Sequence, residues 1–440
     1  MSGVSRAVCC LLLTAFLVST PAMAIGAGPA VGRAQPRVSS PAGPDFRISP
    51  VPDPDYQFYP AAAYNPDKKQ FLVVWSDTRN AGIPEAGSAA IYGRVFDENG
   101  GAAGPERLIS DLGANAHLWP AVAYNPGTGR FLVVWIDLRV GDSPEVMGHL
   151  VNAGGSRIGS ADYQINAGGQ VEGAQSGLAL AYGEGNYLAI WCDLRSSTTR
   201  GADIYGRILS SAGRGSGPDF RISGAAAKGN EGNPALVWNP AAANFQVIWQ
   251  ASPLASGDPY AAPYRIRGRQ VKADRTMTSD IAISATLEAN SGQWMPSLAY
   301  NPTRREFLVA WKIHRYLPDA FDRVQARRVN AETGSPVGAD ILINSSAARG
   351  LYLGPSVAYG ADRYLVVWQD ERDLAARGVD VYARRITGLG GLSTQSLISN
   401  ASGIVEQAWA QAAYGASHHL IVWKHDTTWW SVIFGQWAPG

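Results

Sequence analysis

Apolar residues along this chain gather into short consecutive runs, not into stripes three or four positions apart. Seven such runs end in tryptophan: FLVVW at Trp75 and Trp135, YLAIW at Trp191, FQVIW at Trp249, FLVAW at Trp311, YLVVW at Trp368 and HLIVW at Trp423. Successive tryptophans are 60, 56, 58, 62, 57 and 55 residues apart. A fixed period in this range marks a repeat architecture. Each run follows a segment such as PAVAYNP (Pro120 to Pro126) or PSLAYNP (Pro296 to Pro302) and a tight Gly/Asn turn. Each precedes a segment of the form IYGR, as at Ile91 and Ile204, then a Gly-rich turn and a fourth segment such as DFRIS ending at Ser223.

All four segments predict strands. They are short, rich in Val, Ile, Tyr, Phe and Trp, and bounded by Gly, Pro, Asn and Asp. The second is apolar at consecutive positions, as an inner strand buried on both faces must be. Four strands per unit at this period predict an all-β chain, a seven-bladed β-propeller of four-stranded antiparallel blades. An open β-solenoid is the alternative, but it requires capping repeats. The chain ends look complementary instead. GPDFRIS occurs at Gly43–Ser49 and again at Gly217–Ser223, 174 residues later. The seventh repeat stops at Gly440 without a fourth strand, so the strand at 45–49 is expected to complete blade seven and remove the open edge. The third strand always carries Gly or Ala (Gly93, Gly148, Gly206, Gly268, Ala326, Ala383, Gly435). A large ring, such as the repeat tryptophan, is expected to cover it.

The recurring V-V-W-x-D-x-R followed by I-Y-G-R resembles secreted bacterial seven-bladed propellers, and is more distantly similar to TolB-like propeller repeats. The likeness covers residues 43–440. It implies the fold, and it implies that loops entering first strands and leaving second strands share the face around a channel mouth. It carries over no catalytic residue.

Composition adds a location. Residues 1–24 read as a signal peptide: Arg6, an apolar stretch from Ala7 to Leu17, and an A-x-A pattern ending at Ala24. Residues 25–42 read as a flexible leader and 43–440 as the propeller. The expected product is secreted, extracellular or periplasmic. The whole chain has 37 basic and 36 acidic residues; losing Arg6 balances them. That balance argues against a nucleic-acid partner, and no later stretch is long enough for membrane insertion. Cys192 is the lone cysteine after residue 24, so no internal disulfide is expected.

Candidate chemistry lies where repeats differ. W-x-D-x-R recurs as Asp77/Arg79, Asp137/Arg139, Asp193/Arg195 and Asp370/Arg372. A pair present in most repeats reads as a structural brace, with one ligand site per blade as the sharper alternative. Three residues before the position of Pro120 stand Gln57, His117, Gln175, Glu231, Gln293, Tyr352 and Gln407. The glutamines predict a hydrogen-bonding ring; His117, Glu231 and Tyr352 depart from it and are candidate ligand contacts. One residue before that position, Tyr59, Trp119 and Trp409 place rings on three repeats that become adjacent if the ring closes, with Trp294 one step further out. Such an arc suits stacking on a sugar face or an apolar peptide side chain. No HExxH, paired CxxC, G-x-S-x-G, Walker sequence or EF-hand loop occurs, so no cofactor or metal and no catalytic residue is expected from motifs. His418 and His419 fall at a hairpin turn and are expected to be solvated. Three functions follow. The chain binds extracellular glycan or protein without catalysis, it is a polysaccharide lyase or glycoside hydrolase using His117 with Tyr352 or Glu231, or it is a docking module of the cell surface with its arc buried.

Overall fold

The computed structural model describes residues 44–50, 56–80, 89–113, 116–138, 144–167, 176–196, 201–224, 229–252, 264–285, 291–316, 321–344, 354–400, 404–426 and 431–440. The proposed signal peptide and leader, and also Tyr352, Gln175 and Arg139, lie outside them. The described chain is all-β apart from one helical turn at Leu374–Arg377.

The first repeat shows how the sequence builds a unit. Gln57–Asn65, Gln70–Asp77, Ala90–Asp97 and Arg107–Leu108 pair in chain order as an antiparallel sheet. The second strand is buried from Phe71 to Asp77 because both faces are covered, which explains its unbroken apolar run. The hairpin before it turns on Asn65, whose Oδ1 accepts from the backbone N–H of Asp67 at 3.0 Å and Lys68 at 3.2 Å. Four further sheets have this order. The sixth and seventh repeats form one eight-stranded sheet because Gly378–Val379 pairs in parallel with Val405–Glu406. Other repeats make a weaker form of the same link: the His117 N–H donates to Ala89 O at 2.8 Å and the Gln293 N–H to Tyr264 O at 3.0 Å.

Phe46–Arg47 pairs antiparallel with Ser431–Pro439, the last strand of the chain. Phe46 stands opposite Gly435 and Arg47 opposite Phe434. The internal copy has the same register, Phe220 opposite Gly206 and Arg221 opposite Tyr205. An arginine bridge repeats too. Arg269 Nη1 donates to Ile222 O at 2.7 Å, Arg384 Nη1 to Ile343 O at 2.6 Å and Arg207 Nη1 to Ile165 O at 2.8 Å, each from a third strand to the preceding repeat's fourth. Arg94 Nη1 makes the equivalent bond to Ile48 O at 3.2 Å, joining the first repeat to the N-terminal strand.

The core lies between sheets. Each repeat tryptophan is fully buried against its predecessor: Trp135 packs with Leu72, Val74 and Ile91, Trp191 with Leu132, Val134 and Ile136, and Trp75 with Leu420, Val422 and Ile433 of the last repeat. First strands of consecutive repeats are neighbours, and Val405–Tyr414 of the last neighbours Gln57–Asn65 of the first.

The expected ring over the third-strand glycine is absent. Register places Val74, not Trp75, opposite Gly93. The space a Cβ would need is filled by the fourth-strand isoleucine: Ile222 Cδ1 would lie 2.7 Å from it at Gly206 and Ile165 Cδ1 2.9 Å at Gly148. His419 also departs from expectation. Strand alternation turns it inward, where it is buried against Tyr414, and burial pushes its imidazole pKa down to about 4. His418 bonds to Ser417 Oγ at the surface.

Candidate functional site

The end of the molecule where first strands begin and second strands finish collects the residues that vary between repeats. A β-bulge interrupts most first strands there, between Phe58 and Ala61, Leu118 and Ala121, Gly232 and Ala235, Trp294 and Ser297, and Ala408 and Gln411. The bulged residue takes a left-handed backbone: Tyr59 (φ 56°), Trp119 (52°), Gly177 (58°), Asn233 (46°), Met295 (51°) and Trp409 (53°). Bulges re-aim a side chain and terminate pairing. Aromatic residues rarely adopt this conformation, which costs roughly 1–3 kcal/mol unless its surroundings enforce it.

The aromatic arc is present. The Tyr59 ring centroid lies 4.5 Å from that of Trp409 and 5.2 Å from that of Trp119, and Phe58 meets Trp409 edge-on at 6.3 Å. All three arc residues are half-buried. Trp294 does not join them. It is buried, 4.1 Å from the Tyr264 ring.

Inside the arc lies a layer of cross-strand pairs. Gln57 Nε2 donates to Asp77 Oδ2 at 2.8 Å while its Oε1 accepts from the Ile433 N–H at 3.3 Å, so the amide ties the first repeat to the last. Gln293 Oε1 accepts from the Ile266 N–H at 3.4 Å, and Gln407 Nε2 lies 2.8 Å from His425 Nδ1. These bonds run to Asp77, Ile433, Ile266 and His425 and not to another glutamine, so each amide braces its own surroundings, while Gln175 lies outside the described residues. His117 occupies the same layer, buried, with Nδ1 2.8 Å from Ser110 Oγ and Nε2 3.8 Å from Asp137 Oδ2. The structure thus puts His117 in the wall, where it replaces a glutamine. In the fourth repeat the carboxyl changes strands: Glu231 faces Ala251. Burial, then the nearby Asp203 and Asp280, push Glu231 up to about 7 against a hydrogen bond from Ser223. Its Oε2 has no hydrogen-bond partner among the described residues.

W-x-D-x-R is a brace. Trp191 Nε1 donates to Asp193 Oδ2 at 2.9 Å, the Arg195 N–H to Oδ1 at 2.8 Å, and Arg195 Nη2 to Oδ2 at 2.7 Å. The guanidinium stacks 4.2 Å over Tyr205, the tyrosine of IYGR. Arg79 over Tyr92 and Arg372 over Tyr382, both at 4.1 Å, repeat the arrangement. Trp249, Trp311 and Trp423 Nε1, in repeats that lack the aspartate, have no acceptor among the described residues, and neither has Trp135 Nε1, although Asp137 stands in its repeat.

A charged group beside the arc was not visible to motif reasoning. Lys424 Nζ sits 4.7 Å over the Trp409 ring and 2.5 Å from Asp426 Oδ2. Asp426 stands directly opposite Glu406 across the strands. Glu371, on the loop of the sixth repeat, completes the group. Burial, then Asp322 and Glu406, raise it to about 7, with Lys312 opposing. Burial and Asp426 also raise Glu406, and burial raises Asp426 against Lys424. Lys312, itself pushed down by burial, lies 3.4 Å from Asp322 Oδ1, which also accepts from His314 at 2.8 Å. The arrangement offers three carboxyls whose burial favours the protonated form, one of them paired with Lys424, next to a stacking surface. Among the described residues no group of three or more acidic, His or Cys side chains could hold a metal ion.

No known protein family and no curated protein matches the sequence. Solved structures do. A protein of unknown function from Dyadobacter fermentans is 8% identical, covers 90% of this chain and 97% of its own, and superposes with a TM-score of 0.55. The Hadza microbial sialidase is 12% identical over 87% of this chain and 66% of its own, with a TM-score of 0.50. The chain has a β-propeller fold, and glycoside hydrolases are among its structural neighbours. At these identities the likeness concerns fold alone.

Proposed function

We propose that this chain is a secreted seven-bladed propeller, closed by its N-terminal strand, that acts on glycan at the face carrying Tyr59, Trp119 and Trp409. The equivalent registers of Phe46 and Phe220 support closure, as does the bond from Arg94 to Ile48. One contact carries the functional reading: Lys424 lies across Trp409 and against Asp426, so the stacking surface and the carboxyl group are continuous.

Of the two glycan readings, hydrolysis is better supported than binding alone. Glu371, raised to about 7, supplies a carboxyl that still holds its proton in part at neutral pH, as a general acid needs in order to protonate the leaving oxygen. Asp426 supplies one held near an ammonium, able to receive a proton from water or to attack the sugar carbon. A sialidase among the structural neighbours is in keeping with this. We place acid and base in this group in preference to His117 with Tyr352 or Glu231: His117 is buried against Ser110, Tyr352 lies outside the described residues, and Glu231 has no stacking ring among its contacts with described residues. The half-exposed arc disfavours the docking-module reading, which requires it to be covered.

The test is a panel of aryl glycosides and polysaccharides with reducing-end detection. Glu371→Gln and Asp426→Asn should each lower turnover by about 10²–10⁴-fold while glycan binding persists. Binding without turnover in the wild type would return the function to recognition alone. Neither binding nor turnover on any member would end the glycan reading.

A further inference from the structure

The arc has a direction. Its three rings come from the seventh, first and second repeats, and one end, Trp409, adjoins Lys424, Asp426 and Glu406. From there the rings step away, 4.5 Å to Tyr59 and 5.2 Å further to Trp119. The same backbone position is glycine on both sides of the row. Gly354 precedes it in the sixth repeat and Gly177 follows it in the third. Packing enforces both. A Cβ on Gly354 would lie 2.3 Å from Met295 Cβ, and one on Gly177, at φ 58°, 3.1 Å from Pro234 Cδ. The row of rings is therefore bounded by glycine at both ends. Stacking on a ring face is non-directional and tolerant of which sugar it meets, so successive rings extend a site more than they select its occupant.

We infer that the site takes a linear oligosaccharide segment laid along Trp409, Tyr59 and Trp119, not a single terminal sugar, with Trp119 serving the unit farthest from the carboxyl group. This rests on the glycan reading. Trp119 is a positioning residue here, two rings along from Trp409, whose face carries Lys424, the ionic partner of Asp426.

Calorimetric titration of the mature chain with cello-, chito- and arabino-oligosaccharide ladders, from disaccharide to hexasaccharide, tests it. Affinity for the recognised ladder should rise with length and then level off. Trp119→Ala should remove about a tenfold gain for the longer members and change the disaccharide by less than about twofold. Trp409→Ala should weaken every length, and Trp119→Phe should restore the gain. Folding is checked for each variant by its unfolding midpoint. Equal affinity at all lengths in the wild type, or an equal loss at all lengths in Trp119→Ala, overturns the inference and leaves the glycan reading standing. If no ladder member binds, both fall together.

Discussion

Replacing Asp193 by alanine separates a structural brace from a repeated ligand site. The Asp193 carboxylate is fully buried and accepts from Trp191 Nε1, the Arg195 backbone N–H and the Arg195 guanidinium at 2.7–3.0 Å. Its loss leaves a buried indole N–H without an acceptor, which costs about 1–3 kcal/mol. It also leaves Arg195 half of its ionic partners. Removing one partner of a buried pair costs about 3–5 kcal/mol. The Arg195 side chain is 22% exposed and keeps Asp219 at 3.1 Å, so the lower end applies to it. Together these give about 4–6 kcal/mol for Asp193→Ala. Arg195→Ala should cost about 2 kcal/mol, because Asp193 keeps the indole and the backbone N–H. The double variant should cost little more than Asp193→Ala alone, a coupling of about 2 kcal/mol. The fourth repeat is a natural version of that double loss. It has Ala251 and Pro253 in the two places, and Trp249 stays fully buried. Urea unfolding followed by tryptophan fluorescence reads all four corners of the cycle. A cost below about 1 kcal/mol for Asp193→Ala, or simple additivity, would refute the brace.

Gly206→Val should destabilise by about 1–3 kcal/mol through overlap with Ile222, and Ile222→Val in the same chain should recover part of it; Gly93→Ala, with contacts no closer than 3.2 Å, should cost less on the same thermal-unfolding scale. Ile48→Ala should cost about 2–5 kcal/mol, as for a core residue, because Ile48 is fully buried against Gly435; a loss typical of a frayed terminus would mean the N-terminal strand does not hold the ring. Glu371 has a folded pKa of about 7 against 4.5. Its contribution to stability is therefore present below pH 4.5 and lost as pH rises through 7. Glu371→Gln should flatten that part of a pH–stability curve, and, if Glu371 is the general acid, should abolish the alkaline fall in turnover.

The repeat, its four strands and the Asp–Arg brace were legible in the sequence because each is written several times and rests on local rules of burial and turn chemistry. The arc was legible because Tyr59, Trp119 and Trp409 hold one position in the repeat. What hid the rest was packing between repeats. Glu371, Glu406 and Asp426 belong to separate segments, and only the meeting of the sixth and seventh sheets brings them together. His117 looked like an exposed departure from a glutamine ring, but its register opposite Asp137 holds it inside the wall. The isoleucine over Gly206, Ile222, directly follows a two-residue strand whose pairing no periodicity could fix. The left-handed bulges were hidden as well. Such a backbone is expected of Gly or Asn, and only Gly177 and Asn233 hint at it among residues that include two tryptophans, a tyrosine and a methionine.

Those bulges have an evolutionary consequence. The backbone sets the same awkward turn in repeat after repeat, whether the residue is Gly, Asn, Met, Tyr or Trp. Conformation at this rim is set by the frame and, where packing leaves room for a side chain, carries ones as different as Asn, Met, Tyr and Trp. Substitutions there can rewrite what the molecule touches without renegotiating how it folds. A chain of near-copies can in this way acquire a lopsided surface, and exchange it for another, while its architecture stays symmetric.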